Sequence, residues 1–207
     1  ELQMLSVYPL IMAIVFSILT AWAGCFFADR NIQRWMPRQI LDFLNREITD
    51  YLVKISELDL PIADAKILGG LFHVVNDIER IGDHAENFAE AAKERMEKQI
   101  PFSEKAIRQI REMAEMVTEV LDYALQMFSE RSTEHMKEVL QLEEAVDQLE
   151  RKLQKAHVKR LTKGKCTPEA SMLYSDAISG LERAADHATN IAFAILEPED
   201  LGEEEEE

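Results

Sequence analysis

"NDIERIGDHAENFA" runs from Asn76 to Ala89, and "SGLERAADHATNIA" runs from Ser179 to Ala192. Both carry Glu-Arg-x-x-Asp-His-x-x-Asn, and Glu182 follows Glu79 at an offset of 103 residues. Residues four apart share one face of a helix. Glu79, Asp83 and Asn87 therefore form one oxygen-bearing stripe, and Glu182, Asp186 and Asn190 form another. Arg80 and His84, like Arg183 and His187, lie one step around the helix. Upstream of the first copy, Ile67, Leu68, Leu71, Val74, Val75, Ile78 and Ile81 recur at helical spacing, which places the motif inside an apolar helix.

Outward from these two stretches the chain keeps the same period. "ILDFLNREITDYLVKI" (40–55) reads as a helix, and Pro61 opens the next, from Ala63 to about Lys98. Ser103 is a plausible N-cap for a helix covering Ala106 to about Phe128. Thr133 to about Thr162 follows, with a stop at "KGKC". Thr167 as N-cap, Pro168 at the first position and Glu169 in the first turn start the last helix, which is expected to reach Leu196. No segment alternates with a two-residue period, so the expected class is all-α.

The repetition extends beyond the motif. "LDFLNREI" (Leu41–Ile48) aligns with "VDQLERKL" (Val146–Leu153), pairing Asp42 with Asp147 at an offset of 105. A two-residue slip between the offsets is what a changed loop length produces. The expectation is two tandem three-helix repeats forming antiparallel bundles. The segments are 1–36, a very apolar helix; 37–100, the first repeat; 101–198, the second repeat; and 199–207, an acidic tail.

Composition narrows the function. A net charge of -16 disfavours nucleic-acid binding, since phosphate backbones demand Lys and Arg. Cys25 and Cys166 make neither a disulfide framework nor a zinc pattern. Leu5 to Ala28 contains no charged residue and is long enough to span a membrane. Arg30, Arg34 and Arg38 would then hold everything downstream in the cytoplasm. The alternative is a very apolar first bundle helix.

Two acids at i,i+4 invite cations that take carboxylate oxygen. The competing reading is an ion-pair network, with Arg80 on Asp83 or on acids of a neighbouring helix. Duplication at matching helix positions favours a shared task over a drifting solvated face. His84 and His187 read either as ligands or as satisfied helix histidines, and Met113, Met116 and Met127 read as core.

Two three-helix repeats, each with this motif on its third helix, resemble the PhoU family of phosphate-uptake regulators. The likeness covers residues 37–197. It implies metal, iron first and manganese or zinc as alternatives, held by Glu79 and Asp83 and by Glu182 and Asp186. Acids on the second helices, Asp42 and Asp147, are secondary candidates, as are Asn87 and Asn190. The departure is at the front, where the family's first helix is amphipathic and residues 5–28 are not. PhoU-like domains also occur behind the membrane part of sodium/phosphate cotransporters.

The resemblance implies a metal-binding regulatory domain that controls phosphate transport, attached C-terminally to a sodium/phosphate cotransporter-like membrane protein at the cytoplasmic face of the membrane. Its partner would be its own membrane domain or a phosphate transporter, with homodimerisation as a further expectation. The alternative is a free-standing adaptor restraining a phosphate transporter and its signalling kinase. A metal-dependent enzyme is disfavoured. Diiron bundles use Glu-x-x-His, whereas Glu79 to His84 and Glu182 to His187 are five apart.

Overall fold

A computed structural model gives the fold of residues 38–195, with side chains from Leu41 onward. The apolar run 5–28, Cys25 and the acidic tail lie outside the described residues. Five helices appear in order: α1 Arg38–Ser56, α2 Ile62–Glu97, α3 Glu104–Glu130, α4 Met136–Thr162 and α5 Pro168–Phe193. No strand occurs among the described residues, so the class is all-α as expected.

Local chemistry sets the boundaries. Ser103 and Thr167 cap α3 and α5, their hydroxyls accepting from the backbone N–H of Ala106 and Ala170 at 3.2 Å each. Helix α4 ends in a left-handed Gly164 (φ 63°), whose N–H bonds Leu161 O at 2.9 Å while Lys165 N–H reaches Arg160 O at 2.9 Å. That pair of hydrogen bonds is a Schellman stop, and glycine carries the positive φ without a Cβ clash. The start of α4 differs from the sequence expectation of Thr133. Residue Arg131 closes α3 in the left-handed region (φ 49°), and Ser132 Oγ accepts from Glu134 N–H at 3.2 Å. The chain spends Thr133 to His135 on that turn, and α4 begins at Met136.

Helix α5 is the hub, packing against α2, α3 and α4, while α1 lies on α2 and α3 on α4. Two cores result. One gathers Leu52, Val74, Val120 and Ile191, all fully buried, where α1, α2 and the C-terminal halves of α3 and α5 meet. The other gathers Met113, Val117, Val146, Leu153, Tyr174, Ile178 and Leu181 from α3, α4 and α5. Met113 and Met127 are buried, and Met116 packs against the second core, so the methionines are core. Ile67 departs from its expected burial at 37% exposure. The second core fixes α4 against α5, and that contact builds the site below.

Candidate metal centre

On α4, Glu143, Asp147 and Glu150 follow one another at i, i+4 and i+7, so they share a face. Helix α5 turns Glu182 and Asp186 toward them. Carboxylate oxygens of Glu143, Asp147 and Asp186 all lie within 4.8 Å of one another. The register is pinned beside the acids. Gln154 Nε2 donates to Ser175 Oγ at 3.1 Å and to Ser179 Oγ at 3.2 Å, and Ser179 Oγ donates to Glu150 Oε1 at 3.3 Å. Beneath them Val146 and Leu153 of α4 pack with Ile178, Leu181 and Ala185 of α5.

The electrostatics are those of crowded like charges. Burial, then the carboxylates of Asp186, Asp147 and Glu150, push the Glu182 carboxyl up to about 6. Burial and Asp147 raise Asp186, against the opposing pull of His187 and Arg183. Glu143 is raised by burial first and then by Asp147, Asp186 and Glu144. Arg151 pairs with Asp147 one turn along α4. Burial and like charge together raise these groups, and Arg183 and Arg151 offset the rise only in part. The donor set is all carboxylate oxygen, which fits a hard or borderline divalent cation.

Among the described residues, the first repeat does not close in the same way. Asp83 lies 3.8 Å from Arg80 on its own helix, Asp42 is exposed, and Glu79 lines a small crevice with Leu41 and Asn45 between α1 and α2. No trio of carboxylates comes together among the described residues of this repeat. The 105-residue offset shows why. Glu150 corresponds to Asn45 and Glu143 to Arg38, so two of the second repeat's acids have no counterpart.

The motif histidines face elsewhere. His187 Nδ1 lies 2.8 Å from Asp77 Oδ1 on α2, and Asn190 Nδ2 donates to the same oxygen at 3.4 Å. The rings of His84 and His187 stack with centroids 5.7 Å apart, so the two motif copies meet across the α2–α5 contact. Burial, then the charges of His187 and Arg183, push His84 down. Asn190 is thus engaged with Asp77, and Asn87 is exposed on α2.

Of the sequence candidates, Asp147 and Asp186 come together with Glu182 beside them, while Glu79, Asp83 and Asp42 form no such trio. Sequence reasoning missed Glu143 and Glu150. Their signal was present in "EEAVDQLE" (143–150), where acids flank Asp147 at helical spacing.

The PhoU domain profile matches residues 38–92 and 110–195. The phosphate-specific transport system accessory protein PhoU homolog 1 of Thermotoga maritima is 27% identical over 158 residues, 76% of this chain and 67% of that protein. A PhoU homolog of Synechocystis sp. is 31% identical over 157 residues, 75% of this chain and 68% of that protein. The crystal structure of PhoU from Pseudomonas aeruginosa matches with a TM-score of 0.83 at 22% identity, covering 94% of this chain and 95% of that one. That of the phosphate transport system regulatory protein PhoU from Streptococcus pneumoniae matches with a TM-score of 0.73 at 21% identity, covering 92% and 88%. At these identities the two structures show the fold alone.

Proposed function

The chain belongs to the PhoU domain family, and from that premise we propose that it is a regulatory accessory protein of phosphate transport. Its partner is a phosphate transporter, and its place is the cytoplasmic face of the membrane. The similar Thermotoga and Synechocystis proteins are named as accessory proteins of the phosphate-specific transport system. Regulation, not catalysis, also suits the motif: His187 pairs with Asp77 in the packing between α2 and α5.

The observation that carries the regulatory site is the convergence of Glu143, Asp147 and Asp186 within 4.8 Å. These residues would hold a divalent cation, iron first, with manganese or zinc as alternatives, and Glu182 stands beside them. Bound metal would neutralise the carboxylate repulsion and tie α4 to α5. The direct test of the function is uptake of radiolabelled phosphate in cells lacking the gene and in complemented cells. Uptake that continues at high external phosphate in the deletion, and is restrained again on complementation, is expected. Identical uptake in both strains would contradict a transport role.

A second reading attaches the same domain to a membrane part of its own, as in sodium/phosphate cotransporter-like proteins. The uncharged run from Leu5 to Ala28, followed by Arg30, Arg34 and Arg38, favours it. No helix among the described residues is long and apolar enough to cross a membrane. Membrane fractionation of the full-length gene product separates the two arrangements.

A further inference from the structure

A cavity of about 450 Å³ lies between the start of α3, the end of α4 and the start of α5. At 1.5 Å per residue, Tyr174 on its wall stands roughly 18 Å along α5 from Asp186, so this is not the acidic cluster. Its volume falls in the usual small-molecule range of about 300–1,000 Å³. Its lining is unusual for this chain. Against 39 Asp and Glu in the sequence, no carboxylate lines the cavity, whereas Arg160, Lys165 and His157 do.

Arg160 is held but not neutralised. Its guanidinium lies over the Tyr174 ring at 5.1 Å, with the His157 ring stacked against the same tyrosine at 4.7 Å. Arg160 Nη1 reaches Gln109 Oε1 only at 3.5 Å, an oxygen that already accepts from Tyr174 Oη at 3.1 Å. Its Nη2 is buried and finds no acceptor among the described residues, although the guanidinium also acts on the Tyr174 hydroxyl. A covered guanidinium nitrogen without an acceptor costs free energy, and a carboxylate partner is the usual remedy. His157 does not supply it: its Nε2 sits 2.6 Å from Ser171 Oγ. Burial and Arg160 push its pKa down, so the charge rests on Arg160 and Lys165. The Schellman stop at Gly164 carries Lys165 to the rim. The capped first turns of α3 and α5 begin at Ser103 and Thr167 on the wall, so both helix dipoles add positive potential, offset in part by the carbonyl end of α4. Glu104 and Glu169 in those turns are exposed and lie outside the lining.

We propose that this cavity binds a small oxyanion of the phosphate type through Arg160 and Lys165, either inorganic phosphate or the phosphate group of a small metabolite. Guanidinium donors match phosphate oxygens in pairs, and the half-buried Phe102 ring on the wall suits the body of a phosphorylated metabolite. The proposal does not depend on the acidic cluster.

The test is calorimetric titration of the full chain, stripped of metal by chelation, with inorganic phosphate and with AMP as separate probes. Binding of at least one probe at low-millimolar concentration or better is expected. Arg160→Gln and Lys165→Gln should each weaken it tenfold or more, while Asp147→Asn/Asp186→Asn binds as wild type. Lys165 is exposed, so its substitution leaves packing intact even if Arg160→Gln destabilises the fold. Equal affinity for both probes identifies the free ion as sufficient, and tighter AMP binding identifies a phosphorylated metabolite. No binding of either probe at 10 mM (about a tenfold margin over a millimolar Kd) overturns the proposal. So does Lys165→Gln binding as wild type, or loss confined to the Asp147→Asn/Asp186→Asn variant.

Discussion

Glu182 shows how one residue reports the site's charge. Its carboxyl titrates near 6 because burial and the Asp186, Asp147 and Glu150 carboxylates oppose ionisation. In the unfolded chain it titrates near its ordinary value of 4.5. Between those values the folded state holds more protons than the unfolded one, so the metal-free protein loses stability as pH rises from about 4.5 to about 6. Asp186 and Glu143, also raised, act in the same direction. Glu182→Gln should remove part of this dependence. Thermal unfolding in chelator should show the variant gaining on wild type between pH 4.5 and pH 7. A wild-type–variant difference that stays constant across that range would refute the electrostatic account. A bound cation would have to displace these protons, so affinity at the proposed site should weaken as pH falls through about 6.

At the level of helices, two glycines of α2 make opposite forecasts. A Cβ on Gly69 meets nothing within 4 Å, whereas one on Gly82 would stand 2.7 Å from Leu41 Cδ1 of α1. Gly69→Ala should stabilise by about 0.5–1 kcal/mol, the usual propensity gain in a helix interior. Gly82→Ala gains the same propensity, but crowding in a packed contact costs roughly 1–3 kcal/mol, so it should destabilise. Denaturant midpoints of the two variants check the contrast; a higher midpoint for both would show that α1 gives way easily.

Much of this helical order was legible. Thr167-Pro168-Glu169 announces α5 because capping is local chemistry written in adjacent residues. The start of α4 was misplaced because Thr133 and Glu134 resemble an N-terminus, while the left-handed Arg131 turn that displaces it has no glycine to mark it. The acid stripes followed from the four-residue period. Their neighbours did not. Glu143 joins Asp186 only through the α4–α5 register, and His187 meets Asp77 across 110 residues of chain. Such pairings depend on packing that no local pattern encodes.

For the whole molecule, the two repeats are unequal in charge although matched in motif. The second gathers its acids into one cluster, and the first has Asn45 and Arg38 at the corresponding places. How residues 1–36 relate to the bundle is open to a deletion. If the run 5–28 is a membrane anchor, the chain from Pro37 onward should remain soluble, helical and competent to bind metal. If it completes the bundle, the truncated chain should aggregate or bind hydrophobic dye, because an uncovered apolar face seeks a partner. Sedimentation and dye fluorescence of the truncated protein distinguish these outcomes.

The cation site in the second repeat is the claim on which the regulatory reading turns. Metal analysis of the purified chain after equilibration with iron or manganese, compared with its Asp147→Asn/Asp186→Asn variant, tests it most directly. Helical content of the two proteins should match by circular dichroism. The account predicts bound metal in the wild type and a marked loss in the variant. Equal metal content in both folded proteins would contradict it.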